Sequence, residues 1–172
     1  MNIKQYKKFK FQFNDYSLLD IKRKYPISYI AIFFYDAFRH IYKFGTREFI
    51  DKLEKHQEDG MSSEMISLDI DNKYNLAYIS ELIDNSTQKI TPEIRQLIES
   101  DSIIELCHRN FIGHAVMTIK NLVHLLLMWD RLVNNKNQFL LLYLDDQDWY
   151  DVLPFDTQEA MEKFVADHTK VE

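Results

Sequence analysis

Histidine and cysteine are the side chains of this sequence best suited to hold a metal or to act as a nucleophile with its base. The chain has six histidines and one cysteine. His114 and His124 are ten residues apart, which on one helix separates them by about 15 Å along the axis, so they cannot share a metal ion. Cys107 is followed directly by His108, but no second pair follows at the spacing of a zinc site. We therefore predict no metal site, and we expect Cys107 to be a small buried apolar residue.

Pairs of carboxylates are the second group of candidates. Asp69 and Asp71, like Asp146 and Asp148, are spaced as the first two ligands of a calcium loop. Neither pair continues with the third oxygen ligand, the glycine and the glutamate that this loop requires. The chain has three glycines, too few to favour a loop that cradles phosphates, and no serine lies in a nucleophile-elbow pattern. We predict no cofactor, assign no catalytic residue and expect a protein that is not an enzyme.

An enzyme is the alternative hypothesis. It is a hydrolase or transferase whose site is assembled from dispersed residues, namely Arg39, His40, His114 and Asp130. Such a site requires a deep pocket that holds at least two ionisable groups with perturbed pKa values.

An acidic and aromatic segment near the C-terminus is the best candidate for a binding site. Residues 143–156 read YLDDQDWYDVLPFD and contain five aspartates, which can pair with lysine or arginine, while tryptophan and tyrosine supply rigid contact area. Neighbouring strand residues point to opposite sides, so we expect one of Trp149 and Tyr150 to be exposed. The alternative is that the aromatic residues pack inward and the aspartates only keep the turn hydrated. The candidate partner-binding residues are Asp145, Asp146, Asp148, Trp149, Tyr150 and Asp151.

The charges are concentrated at the two ends of the chain. Residues 1–25 contain seven lysines and arginines and two aspartates, whereas residues 145–172 contain nine acidic and two basic residues. The net charge of -6 excludes nucleic acid as a partner, because phosphates require a basic surface. A basic protein partner is favoured instead. The alternative is that the two ends attract each other within the fold or are ordinary solvated faces.

The sequence pattern also indicates a compartment. The segment MNIKQYKKFKFQF lacks the continuous apolar core of a signal peptide, and no apolar run reaches the roughly 20 residues that span a bilayer. A single cysteine suits a reducing compartment. We expect a cytoplasmic protein that does not contact a membrane.

Length and periodicity predict one domain of α+β class. The chain has 172 residues, of which 46% are hydrophobic, enough for a single domain over residues 1–172 with a sizeable core. Alternating apolar residues predict strands at 9–13, 66–70, 138–144 and 149–153, the last two forming a C-terminal hairpin over about 138–153. Helical periodicity and caps predict helices at 18–25 after Ser17, 27–44, 46–53, 74–84, from 92, and 103–133. A terminal helix follows the capping box at residues 156–159, so we expect a mostly helical fold with a small antiparallel sheet.

These patterns together indicate a binding protein. We expect a small acidic cytoplasmic protein of the immunity or antitoxin type that masks a basic toxin such as a nuclease. In general style it resembles bacterial immunity proteins, and no residue is carried over from them. A third hypothesis is a regulatory or scaffold subunit that binds through a helical face. The sequence does not determine the oligomeric state or the order of the strands.

Overall fold

The computed structural model describes residues 1–12, 15–19, 26–38, 45–81, 91–100, 103–133 and 139–169. Within these ranges six helices are present, which are α1 (Ile27–Tyr35), α2 (Thr46–Glu54), α3 (Pro92–Glu99), α4 (Ile103–His108), α5 (Ile119–Val133) and α6 (Gln158–His168). Eight strands are present, which are β1 (Ile3–Gln12), β2 (Asp15–Leu18), β3 (Gly60–Ser62), β4 (Ile66–Asp71), β5 (Leu76–Glu81), β6 (His114–Thr118), β7 (Phe139–Asp145) and β8 (Tyr150–Phe155).

The strands form two separate antiparallel sheets. The first sheet has the order β2-β1-β7-β8 and the second has the order β3-β4-β5-β6. The α+β class predicted from the sequence is confirmed. The predicted small sheet is an underestimate, because each of the two sheets has four strands.

Helix α1 lies between the two sheets. It contacts β1, β2 and β7 of the first sheet and β4, β5 and β6 of the second. Seven of its nine residues are buried, and a helix that is apolar on all sides must be surrounded by other elements. The α1 side chains therefore supply core contacts to both sheets at once.

Helix α5 joins the same central layer through Trp129. The indole is fully buried and stacks on Phe34 of α1, with ring centroids 4.1 Å apart and an interplanar angle of 17°. The edge of Phe9 from β1 meets the same indole at 5.0 Å and 82°. Offset and edge-to-face pairs of this kind add to the energy of burial. One aromatic cluster thus connects α1, α5 and the first sheet.

Two smaller apolar clusters cover the outer faces of the sheets. Met161 and Val165 of α6 pack with Leu141 and Tyr143 of β7 on the outer face of the first sheet. Leu106 and Cys107 of α4 pack with Tyr78 of β5 on the outer face of the second. Each sheet is consequently buried on both sides over part of its area.

This double burial explains why the helix predicted at residues 74–84 is wrong. Residues 76–81 form β5, and the four central residues of this strand are all buried. A strand covered on both faces has a continuous apolar run without alternation, which periodicity alone does not distinguish from a helix. Residues 82–84 lie outside the described part of the chain.

The long helix predicted at residues 103–133 is also wrong, because two helices and a strand occupy this range. Helix α4 ends at His108, and Asn110 follows with the positive φ of 58°. Gly113 then passes so close to Tyr29 that a Cβ atom would lie 2.1 Å from its hydroxyl oxygen. The chain turns here into β6 before α5 begins. The packing of α1 against this turn, rather than local propensity, separates the two helices.

Other predicted elements need smaller corrections. Ser17 does not cap a helix, because it lies in β2 opposite Lys10 of β1. The predicted C-terminal hairpin and terminal helix are present, with the hairpin displaced to residues 139–155 and α6 capped by Thr157 rather than Asp156. The strand predicted at 66–70 and the helix starts at 46 and 92 agree with the structure. Residues 13, 20–25, 39–44 and 138, which belong to predicted strands or helices, lie outside the described ranges.

The central aromatic cluster yields a stability prediction. Replacing Phe34 with alanine removes the ring that stacks on Trp129, and we expect it to lower the free energy of unfolding by about 3–5 kcal/mol. Replacing the exposed Tyr74 with alanine is the control, for which we expect a change within about 0.5 kcal/mol. Urea unfolding of both variants measures the difference. Equal stabilities would show that the cluster does not hold the two sheets on α1.

Candidate functional site

The turn between β7 and β8 is held in one conformation by Asp145. Its Oδ1 atom accepts hydrogen bonds from the backbone N–H groups of Gln147 and Trp149, both at 2.9 Å. The backbone N–H of Asp145 donates to the carbonyl of Trp149 at 3.0 Å. Asp148 has the positive φ of 59°, a conformation that aspartate tolerates better than most residues. We call residues 145–149 the acidic turn, and within it Asp145 has a structural role.

Asp146 and Asp148 are the exposed carboxylates of the acidic turn. The carboxylate of Asp148 lies 2.6 Å from Nζ of Lys4 in β1. Asp146 has no partner among the residues that the structure describes. An ion pair between exposed side chains contributes little to stability and breaks easily, so both carboxylates are accessible to a cationic group.

Asp151 lies just beyond the acidic turn and contacts a histidine of α5. Its Oδ1 atom is 2.7 Å from Nε2 of His124. The hydroxyl of Tyr143 donates to its other carboxylate oxygen at 3.4 Å, and the backbone N–H of Val152 donates to Oδ1 at 2.8 Å. The ring of His124 also lies 5.5 Å from that of Trp149. Asp151 thus holds the imidazole beside the half-buried indole.

The two adjacent aromatic residues after the turn have different environments. Tyr150 is only 2% exposed and belongs to the central core, whereas Trp149 is partly exposed. The prediction was that one of the pair is exposed. Neither residue is fully exposed, and Trp149, which is half-buried, is the more accessible of the two. A partner cannot reach the ring of Tyr150 without unfolding the hairpin.

Asn121 of α5 fixes the outer edge of β8. Its side chain is 1% exposed and forms two hydrogen bonds with Tyr150, donating from Nδ2 to the carbonyl at 2.7 Å and accepting from the backbone N–H at 2.9 Å. The amide takes the place of a neighbouring strand. Because Pro154 has no N–H and the N–H of Val152 is bonded to Asp151, this edge is closed to a further strand.

Sequence reasoning did not find Asn121 or His124 as neighbours of the acidic segment. The available signal was their spacing, because two polar residues three apart in an apolar helix lie on one face. That spacing shows that α5 has a polar stripe. It does not show which strand the stripe meets.

The phenols next to the acidic turn have raised pKa values. Burial is the main cause for both Tyr143 and Tyr150. The carboxylate of Asp151 raises the pKa of Tyr143 further, and that of Asp148 has the same effect on Tyr150. Both phenols therefore stay neutral where an exposed tyrosine begins to ionise.

The basic N-terminal segment and the acidic C-terminal segment form ion pairs within the fold, as the alternative interpretation of the charge pattern predicts. Besides Lys4 with Asp148, Nζ of Lys8 in β1 lies 2.5 Å from a carboxylate oxygen of Glu162 in α6. The pairing of β1 with β7 brings these groups together. Part of the acidic surface is thus compensated internally, which leaves Asp146 as the uncompensated member of the turn among the described residues.

The residues of the enzyme alternative are not brought together where the structure describes them. His114 lies beside Tyr78 on the outer face of the second sheet, with ring centroids 5.6 Å apart. Asp130 of α5 accepts a hydrogen bond of 3.2 Å from the hydroxyl of Thr46 in α2. Arg39 and His40 lie outside the described ranges. No shared site of these four residues is therefore visible in the described part of the chain.

The thiol of Cys107 is buried and is a poor nucleophile. Burial, followed by the charge of Asp69, raises its pKa to about 12, so the nucleophilic thiolate is scarce at neutral pH. Tyr78 bonds to Nε2 of the adjacent His108. Among the residues described, no group of three possible ligands could hold a metal ion.

Two of the open clefts on the surface are formed by residues that the structure describes. The first, of about 320 Å³, is lined by apolar residues of β2 and α1, by Ser17 and by Met65. The second, of about 390 Å³, lies between α2 and the start of α5 and includes Glu54, His56 and Lys120. Neither cleft adjoins the acidic turn.

Comparison with known proteins identifies no relative of this chain. Neither a protein-family model, nor a curated protein, nor a solved structure matches the chain. Of the helices that the structure describes, none has the length and apolar character to cross a bilayer. The function is therefore argued from the geometry of the acidic turn.

The Asn121 contact gives a second prediction. Replacing Asn121 with alanine leaves the buried N–H and carbonyl of Tyr150 without partners, and we expect it to lower the free energy of unfolding by about 2–4 kcal/mol. Replacement with aspartate restores the acceptor but not the donor, so it should also destabilise the protein. Urea unfolding measures both effects, with the exposed neighbour Lys120→Ala as the control. An Asn121→Ala variant as stable as the control would contradict this account of the edge.

The raised phenol pKa values give a third prediction. In the unfolded chain a tyrosine ionises near pH 10, whereas Tyr143 and Tyr150 in the fold remain neutral at that pH. The unfolded state therefore loses protons first, so stability should fall as pH rises through about 10. Urea unfolding across this range should show a smaller loss in Tyr143→Phe and Tyr150→Phe than in the wild type. The exposed Tyr74→Phe change is the control, and a slope unchanged in both test variants would contradict the prediction.

Proposed function

We propose that this protein is an acidic binding protein of the immunity or antitoxin type, which masks a basic toxin such as a nuclease with its acidic turn. The observation that carries the proposal is the fixed conformation of that turn, in which Asp145 is bonded to two backbone N–H groups while Asp146 remains exposed. A surface that is ordered before binding loses little entropy when a partner arrives.

The proposal assigns different roles to the acidic residues. Asp145 and Asp151 position the turn, because their carboxylates are engaged by backbone N–H groups and by His124. Asp146 and Asp148 provide the contacts with the partner. A cationic side chain of the partner replaces Lys4 at Asp148, since the exchange of one exposed ion pair for another costs little.

Trp149 supplies the apolar part of the proposed contact. Its indole lies against the imidazole of His124 and is thereby restricted before a partner binds. Tryptophan is among the residues that contribute most to binding energy at interfaces, and an arginine of a basic partner can also lie over its ring. The carboxylates then determine the rate of encounter, while Trp149 determines the lifetime of the complex.

A cytoplasmic location belongs to the same proposal. An inhibitor of a nuclease has to meet the enzyme where nucleic acid is present, and the single cysteine is compatible with a reducing compartment. A bacterial origin follows from the same hypothesis, because the protein would protect the cell that makes the toxin.

The proposal predicts how two groups of aspartates differ. Asp146→Asn combined with Asp148→Asn should lower the association rate with the basic partner by roughly tenfold at low salt. Asp156→Asn combined with Asp167→Asn removes the same charge from exposed positions before and on α6 and should have a smaller effect. The measurement is surface plasmon resonance against the purified product of the adjacent gene, at low and high salt. The wild type should lose more rate with salt than the turn variant does.

Two outcomes would overturn the proposal. If the adjacent product does not bind the wild-type protein, the proposed inhibitor role is wrong. If both double variants bind with the same reduced rate, net charge alone governs encounter and the acidic turn is not the contact surface.

A further inference from the structure

The second cleft of the surface lies between the end of α2 and the start of α5, away from the acidic turn. Its volume of about 390 Å³ falls within the range of small-molecule sites, roughly 300–1,000 Å³. Its floor is apolar, because Leu53, Ile119 and Val123 belong to the central core. Three exposed ionisable side chains also line it, namely Glu54, His56 and Lys120. An apolar floor with a few ionisable groups around it is the usual composition of a site for a small molecule.

The backbone at the end of α2 holds His56 in a conformation that suits glycine better. The N–H of His56 donates to the carbonyl of Leu53 at 3.1 Å. The N–H of Gln57 donates to the carbonyl of Lys52 at 2.8 Å. These two bonds form a Schellman motif, in which the residue of positive φ is usually glycine. His56 occupies that position with a φ of 54°, which costs stability that glycine would retain, so the ending of the helix does not explain the imidazole.

The imidazole of His56 is fixed in one tautomer when it is neutral. Its Nδ1 atom lies 3.3 Å from Oδ1 of Asn72. The amide of Asn72 is oriented by its Nδ2 atom, which donates to the carbonyl of Glu58 at 3.2 Å, so Oδ1 is the acceptor and Nδ1 of His56 carries the proton. The lone pair is then on Nε2, to which no described residue bonds. His56 thus offers a hydrogen-bond acceptor on the same wall of the cleft as the carboxylate of Glu54.

The other walls of the cleft are also fixed before a ligand binds. The N–H of Ile119 donates to the carbonyl of Asn75 at 3.0 Å, which attaches the turn between β4 and β5 to the start of α5. The hydroxyl of Thr118 accepts a hydrogen bond of 3.1 Å from the N–H of Asn121 and caps α5. A site whose walls are ordered in advance loses less entropy when a ligand binds.

Glu54 and Lys120 carry opposite charges at the same cleft but do not pair with each other. Two ion pairs form along α2 and its C-cap, at 3.1 and 2.9 Å, and neither includes Glu54. Among the residues described, neither Glu54 nor Lys120 has an ion-pair partner. Lys120 lies in the first turn of α5, which contains no acidic residue, and a helix N-terminus favours an anion. The cleft therefore complements a ligand that carries both an ammonium group and a carboxylate.

We propose that this cleft binds a free amino acid with an aliphatic side chain. The ammonium group of the ligand bonds to the carboxylate of Glu54 and to Nε2 of His56, and its carboxylate bonds to Nζ of Lys120. Its side chain covers the apolar floor. A residue within a peptide, or at either end of one, lacks at least one of the two charges, so the free amino acid is favoured over a peptide. The inference does not rest on the proposed function, because the cleft shares no residue with the acidic turn.

Nuclear magnetic resonance of the isotope-labelled protein tests the site with three probes. L-leucine carries both charges, isoamylamine lacks its carboxylate and isocaproate lacks its ammonium group. Leucine should shift the amide signals of residues 53–56 and 118–120 and should bind at least about fivefold more tightly than either analogue. Absence of these shifts at about 10 mM leucine, or equal affinity for all three probes, would overturn the proposal.

Two charge variants assign the two ends of the ligand. Lys120→Ala should bind leucine no better than isoamylamine, because the partner of the carboxylate is lost. Glu54→Gln should bind leucine no better than isocaproate, because the partner of the ammonium group is weakened. Lys163→Ala and Glu159→Gln remove the same charges from exposed positions on α6, and both controls should bind leucine as the wild type does. Equal losses in the cleft variants and in the α6 controls would contradict the proposed site.

His56→Gly separates binding from stability. Glycine suits the positive φ of this position, so the midpoint of urea unfolding should not fall, whereas the affinity for leucine should drop by about fivefold with the loss of Nε2. An imidazole with a merely structural role gives the reverse result, in which stability falls and leucine binding is unchanged. That result would remove His56 from the site and overturn the proposed contact with the ammonium group.

Discussion

The burial of α1 between the two sheets is the constraint on which the rest of the structure depends. Seven of its nine residues are buried, and no single sheet can cover more than one face of a helix. Two sheets are therefore needed, one on each side. The stacking of Trp129 on Phe34 then fixes where α5 lies. Helix α5 packs in the same central layer as α1, so its polar residues Asn121 and His124 contact the edge strand β8. These contacts position the candidate site.

The acidic turn is consequently a feature of the whole fold rather than of the hairpin alone. An isolated two-stranded hairpin is marginally stable in water. Here β7 is paired on its other side with β1, and β8 is closed by Asn121 and by Asp151 with His124. These contacts allow exposed, mutually repelling aspartates to be held close together.

The opposite charges of the two chain ends are only partly compensated within the fold. Pairing of β1 with β7 brings Lys4 to Asp148 and Lys8 close to α6, so part of the opposite charge at the chain ends is compensated internally. Asp146 is left without a partner among the described residues, at the end of the sheet farthest in strand order from β2.

The sequence by itself determined the α+β class, the C-terminal hairpin, the terminal helix, the strand at 66–70 and the buried character of Cys107, because alternation, caps and turn residues are local signals. Only the tertiary structure decided that residues 76–81 form a strand, since burial on both faces removes the alternation that identifies one. It also decided that the range 103–133 is divided, because Gly113 must pass the hydroxyl of Tyr29. The choice between Trp149 and Tyr150 as the accessible ring, and the contacts of Asn121 and His124 with β8, depend on which elements lie next to the hairpin. No spacing along a single chain contains that information, because side chains distant in sequence become neighbours only when the sheets close around α1.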